Sequence, residues 1–82
     1  MSNGRLLIVD DDPDIRAMLL EYLGSHGYDV EAVPNGREMR ESLARAVPDL
    51  VLLDLALPGE DGLSLARHLR ESHDVGIIMV TA

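Results

Sequence analysis

Arg5-Leu6-Leu7-Ile8-Val9-Asp10-Asp11-Asp12-Pro13 is the stretch that decides the fold. Leu6 to Val9 is a short apolar run, too brief for a helix and β-branched at its end, so it reads as a buried strand that stops at the aspartates. Asp12 then stands where a helix N-cap belongs, Pro13 takes the first helical position, and Asp14 puts negative charge at the positive end of the dipole. The apolar residues Ile15, Met18, Leu19, Tyr22 and Leu23 recur at threes and fours, and Gly24 and Gly27 close the helix, Gly27 offering a left-handed stop. One strand followed at once by one amphipathic helix is the opening unit of an α/β sheet.

The rest of the chain repeats that unit. Tyr28 to Val33 reads as a short strand, and Pro34-Asn35-Gly36 turns into a helix with Met39 and Leu43 inward and Pro48 beyond its end. Asp49 to Asp54 is apolar through its centre, as expected of a strand covered on both faces in the middle of a parallel sheet. The loop Leu57-Pro58-Gly59-Glu60-Asp61-Gly62 leads to a helix carrying Leu63, Ala66, Leu69 and Arg70, and Val75 to Val80 reads as another buried strand. The order β-α-β-α-β-α-β predicts an open α/β sheet with right-handed crossovers, in one compact domain over residues 1–82.

Composition narrows the function classes. With 46% apolar and 27% charged residues the chain reads as globular rather than disordered, despite a net charge of -8. Its longest apolar runs are four residues, far from the roughly 20 that span a bilayer, and the N-terminus lacks the pattern of a secretory signal, so a cytoplasmic protein is expected. There are no cysteines for disulfides or thiolate metal sites. The acidic balance makes this segment a poor match to nucleic acid, so any DNA binding belongs to a part outside it. The three histidines lack ligand spacing, Met18, Met39 and Met79 read as core filler, and no glycine-rich phosphate loop is present.

The acidic excess is concentrated: Asp10, Asp11, Asp12 and Asp14 fall within five residues. In a doubly wound sheet, sites form outside the carboxyl ends of strands where the winding direction reverses. Asp10 and Asp11 end the first strand and Asp54 ends the third, so neighbouring strands would bring three carboxylates into one crevice. A single aspartate at a strand end is more often a cap or a solubilising group, and Asp12 is read that way; three converging ones are not. At about 5 Å and an effective dielectric near 20, each pair repels by roughly 3 kcal/mol, so the cluster wants a cation. Magnesium suits one or two carboxylates plus phosphate oxygens, and a carboxylate can attack a phosphoryl group to give an acyl phosphate. Thr81, ending the fourth strand, is placed to donate a hydroxyl hydrogen bond to that phosphate.

Leu7-Ile8-Val9-Asp10-Asp11-Asp12-Pro13, Asp49-Leu50-Val51-Leu52-Leu53-Asp54, Leu57-Pro58-Gly59-Glu60-Asp61-Gly62 and Ile77-Ile78-Met79-Val80-Thr81-Ala82 together resemble the receiver domains of two-component response regulators. The resemblance implies a flavodoxin-like sheet, order 2-1-3-4 as far as the chain extends, with the family's fifth βα unit missing and the domain incomplete at its C-terminus. It implies Asp54 as phosphoacceptor and also as a Mg2+ ligand, Asp11 as a direct Mg2+ ligand, Asp10 as a ligand through water, and the main-chain carbonyl of Ala56 as a further protein ligand. It implies Thr81 as the switch hydroxyl, with the small Ala82 leaving access to the phosphate, and a structural turn at Pro58 and Gly62. The implied partner is a histidine kinase, and similarity to the winged-helix, OmpR-type subclass implies a transcriptional output through a DNA-binding domain outside this chain. Such a domain is a phosphoacceptor, not an enzyme in its own right.

The family's lysine at the end of a fifth strand has no counterpart, since all seven basic residues are arginine. That departure keeps a second reading open, a receiver-like interaction module in which the pocket is vestigial. An aspartyl-phosphate hydrolase is disfavoured, because the second acid it needs two residues after the nucleophile is Ala56 here. Right-handed crossovers put the first helix on one face and the other two on the opposite face. The face over the third and fourth strands is then bare, and the fourth strand becomes an apolar edge without charged or proline guards, which predicts a homo-oligomer through that edge or face.

Overall fold

The computed structural model describes residues 3–80. Its elements are β1 (Arg5–Val9), α1 (Pro13–Ser25), β2 (Asp29–Val33), α2 (Gly36–Arg45), β3 (Leu50–Asp54), α3 (Gly62–Ser72) and β4 (Gly76–Val80). The strands pair in parallel in the order β2-β1-β3-β4, the expected flavodoxin-like order for four strands. From β1 the chain winds outward to β2, then returns across β1 to β3 and continues to β4. The reversal therefore lies between β1 and β3.

Local chemistry sets the helix starts. Asp12 caps α1, its Oδ1 accepting from the Asp14 and Ile15 N–H groups at 2.9 and 3.4 Å. Asn35 caps α2 through Glu38 N–H at 2.9 Å, and Asp61 caps α3 through Leu63 N–H at 3.1 Å. Each cap satisfies donors the helix itself cannot, worth about 1 kcal/mol apiece. The α1 helix closes at Gly27, with φ of 87°, where the Gly27 N–H donates to the Gly24 carbonyl. Gly24 itself lies within α1 rather than at its end.

One face of the sheet is well packed. Met39 and Leu43 of α2 and Leu65, Ala66 and Leu69 of α3 bury against Leu7, Val9, Val51 and Leu53. The sequence pattern placed Leu63 on the inner side of α3, but it is 61% exposed and Leu65 is buried in its stead. Both stripes share Ala66 and Leu69. Gly62 packs closely against Leu55 and lies on the buried side of the helix with Leu65.

The other face carries α1 alone. Leu6 and Ile8 are buried on that side, yet no residue of α1 itself is fully buried, and Met18 and Tyr22 of the predicted apolar stripe are 57% and 60% exposed. Ile8, Leu52 and Ile78 form one cross-strand row, and exposure rises along it from buried to half-buried to 49%. Leu50 and Leu52 are likewise half-buried, so β3 is covered on one face and not on both as its apolar run suggested. An apolar run reports strand character; the helices above it decide burial. For the same reason β4 is not a buried strand: among the described residues it is the sheet edge, with Ile78, Met79 and Val80 exposed.

Candidate functional site

Register builds the site. Val9 pairs with Leu53 across the β1–β3 ladder, so Asp10, directly after β1, and Asp54, the last residue of β3, stand side by side at the carboxyl end of the sheet. Asp11 follows on the β1–α1 loop. One carboxylate oxygen from each of Asp10, Asp11 and Asp54 lies within 4.8 Å of the other two. The three predicted carboxylates therefore converge at the winding reversal, with Asp10 and Asp54 half-buried and Asp11 exposed. Thr81 and Ala82 lie outside the described residues.

Asp10 and Asp54 are held by the backbone around them. Asp10 continues the sheet through its N–H to the Val33 carbonyl at 3.1 Å, and its Oδ1 accepts from Asp12 N–H at 2.9 Å. The Asp54 Oδ1 accepts from the Ala56 N–H at 2.8 Å, which turns the chain sharply after β3. Leu55 N–H donates to the Val80 carbonyl at 3.0 Å, extending the β3–β4 ladder past Asp54. These bonds fix the side-chain directions before any ligand arrives, so less ordering entropy remains to be lost on binding.

Two residues around the cluster were not singled out by the sequence. Arg16, on the first turns of α1, donates from Nη1 to the Asp10 carbonyl at 2.8 Å, bringing a guanidinium beside the acidic loop. Its spacing of six from Asp10 carries no motif signal; only the turn of α1 back over the strand end brings them together. Glu60, on the loop after β3, reaches Gly36 N–H at 2.8 Å. That partner is 24 residues away in the chain, beyond any local pattern.

The donor set is all oxygen, hard and anionic, which fits a small divalent cation such as Mg2+ and not a soft metal. Ala56, whose carbonyl the family resemblance implies as a ligand of the same ion, is on the turn directly after Asp54. A carboxylate pair at a strand end with a third beside it also offers a nucleophile with a countercharge site next to it.

Comparison with known proteins gives the same reading. The response regulator receiver domain family matches residues 6–82. The transcriptional regulatory protein AruR of Pseudomonas aeruginosa is 49% identical over an alignment covering 94% of this chain and 34% of that protein. The BeF3-activated N-terminal receiver domain of Klebsiella pneumoniae RstA superposes with a TM-score of 0.86 at 43% identity, covering 94% of this chain and 66% of that one. The response regulator TrrA, solved in complex with the histidine kinase ThkA, gives a TM-score of 0.88 at 40% identity, covering 100% of this chain and 70% of that one. The chain spans about a third of the length of the curated relatives it matches. With its 2-1-3-4 sheet and the aspartate cluster at the β1–β3 reversal, this chain belongs to the receiver domains of two-component response regulators, which are signalling phosphoacceptors rather than catalytic enzymes.

Proposed function

We propose that residues 1–82 act as one receiver unit that takes a phosphoryl group from a histidine kinase onto Asp54. The observation that carries this is the convergence of Asp10, Asp11 and Asp54 within 4.8 Å at the winding reversal. In the transfer, a carboxylate oxygen of Asp54 bonds to phosphorus as the phosphorus–nitrogen bond of the phosphohistidine breaks, and the leaving imidazole takes up a proton. Ala56 N–H donates to Oδ1 of Asp54, and we assign the attack to Oδ2, the oxygen without that bond. Asp11 directly, Asp10 through water, Asp54 and the Ala56 carbonyl would hold Mg2+, which would neutralise charge on the transferred oxygens. Thr81 is assigned the hydroxyl that bonds the phosphate, on its place directly after β4.

The solved complex of TrrA with a histidine kinase supports the choice of donor. Relatives described as transcriptional regulatory proteins support a transcriptional output, reached through a DNA-binding part outside this chain. No helix among the described residues is long and apolar enough to cross a membrane, in keeping with a cytoplasmic place of action. The exposed β4 edge and the half-covered face beside it support self-association of the 82-residue polypeptide, a second copy covering Ile78 and its neighbours.

Incubating the protein with a small acyl-phosphate donor and magnesium tests the reading. One phosphate should appear by intact mass on the wild type and none on Asp54→Asn. A wild type that stays unmodified would overturn it and favour the interaction-module alternative.

A further inference from the structure

Glu60 stands outside the acidic cluster, on the loop joining Asp54 to α3, and its carboxylate crosses to another element. Its Oε2 accepts from the Gly36 N–H at 2.8 Å. That N–H opens α2, where helix donors lack internal partners and a negative charge meets the positive end of the dipole. The fit is close: a Cβ on Gly36 would lie 3.1 Å from both the Glu60 Cδ and the Leu65 Cδ2.

At its far end the loop is anchored by Asp61, which caps α3, and by Gly62, which packs against Leu55. Ala56 N–H is bound to Asp54 Oδ1, and Leu57 is buried in the core. Between Leu57 and Glu60 the chain closes a tight turn, Glu60 N–H donating to the Leu57 carbonyl at 3.3 Å, with Gly59 at φ of 72°. Apolar burial of Leu57 sets the depth of this turn but is non-directional. The Glu60 bond is directional and ties the turn to α2, across the sheet end from the aspartates.

We infer that Glu60 is a positioning residue, whose bond to Gly36 fixes the loop that carries the Ala56 peptide and thereby sets both the Ala56 carbonyl and the Asp54 carboxylate for a divalent cation. The inference rests on the cation-assisted phosphoacceptor reading above and deepens it. Glu60 acts through the loop and touches no reacting atom.

The test uses Mg2+ as probe, titrated by amide NMR into wild type, Glu60→Ala, Glu60→Gln and Asn35→Ala. Asn35→Ala removes the other cap of α2 without touching the loop, and so controls for mere loss of stability. Glu60→Ala should weaken Mg2+ binding on the order of threefold to tenfold, less than losing a group bonded directly to a ligand, while Glu60→Gln, which keeps an oxygen for Gly36, recovers most of the affinity. Unchanged affinity in Glu60→Ala, or an equal loss in Asn35→Ala, would overturn the inference. Hydrogen exchange of the Ala56 amide without metal supplies a second readout, expected to quicken in Glu60→Ala and not in Asn35→Ala. Should wild type ignore Mg2+ altogether, the phosphoacceptor reading fails and the exchange result alone decides the role of Glu60: no quickening overturns it.

Discussion

Gly62 sits so close to Leu55 that a methyl group on it would fall 2.6 Å from the Leu55 Cα and 2.9 Å from its carbonyl oxygen. The obstruction is backbone, which cannot swing aside like the end of a long side chain. Gly62→Ala should therefore destabilise the protein by about 1–3 kcal/mol, the usual cost of overpacking, and displace the start of α3. Urea unfolding measures this, and a change under about 0.5 kcal/mol would mean that the turn relaxes at no cost.

Asp11 makes a different case, because the structure gives it an electrostatic role without a packing one: it is exposed, in a cluster of like charges. Asp11→Asn should weaken Mg2+ binding by about tenfold or more, as loss of a ligand implies. The metal-free fold should be no less stable, since one source of repulsion is gone. A loss of more than about 1 kcal/mol in the metal-free protein, measured by denaturation, would contradict this.

Glu31 on β2 is tied to α2 by the buried Ser42 hydroxyl, which donates to its Oε1, and by Arg45 at 2.8 Å; Arg5 lies at 3.8 Å. The Ser42 hydrogen bond above all, then the charges of Arg45 and Arg5, outweighs partial burial and holds the Glu31 carboxyl below its usual value of 4.5. A depressed folded-state pKa contributes stability above the unfolded value that is lost as pH falls through the folded one. Stability should therefore drop as pH goes below 4.5, and Ser42→Ala should cost about 1 kcal/mol at pH 7 and shrink the Glu31 share of that drop. NMR titration of Glu31 in both proteins checks the shift directly: it should titrate higher in the variant, and an unchanged midpoint would assign the shift to the arginines.

On the half-covered face, Ile78 is 49% exposed at the end of the Ile8–Leu52–Ile78 row. The 82-residue polypeptide should sediment as a dimer or larger species at micromolar concentration, and Ile78→Lys should shift it toward monomer by placing a guard charge on the edge strand. A well-folded wild-type monomer with cooperative unfolding would refute the association.

The helices were legible because each follows a strong local signal: Asp12-Pro13 opens α1 where the sequence places it, while the turn at Pro34-Asn35-Gly36 and the loop ending at Asp61-Gly62 announce α2 and α3, which take Gly36 and Gly62 as their own first residues. The aspartate cluster was legible in part for the same reason, as strand ends are read from apolar runs; that β1 and β3 are neighbours came from the family resemblance. What escaped depends on contacts between distant residues. Leu63 and Leu65 both fit the periodicity of α3, and only the fold shows that Leu65 is buried and Leu63 exposed. The runs Leu50–Leu53 and Ile77–Val80 look alike in sequence, yet Leu53 is fully buried and Val80 is 46% exposed, because burial belongs to the neighbours and not to the run. Glu60 and Ser42 take their roles from partners 24 and 11 residues away.

The pairing of Val9 with Leu53, one step short of Asp10 and Asp54, makes the site an assay of sheet registry. Sliding β3 along β1 by a single residue would carry Asp54 about 3.3 Å along the strand and turn its side chain to the opposite face. The three carboxylates would then no longer meet. Any cation they share binds the correctly registered sheet alone, so its binding energy is added to that arrangement and withheld from every slipped one. Charge repulsion would disfavour the right register while the chain folds, and a bound cation would reverse that bias, so binding would select the alignment of two strands that meet it only at their tips.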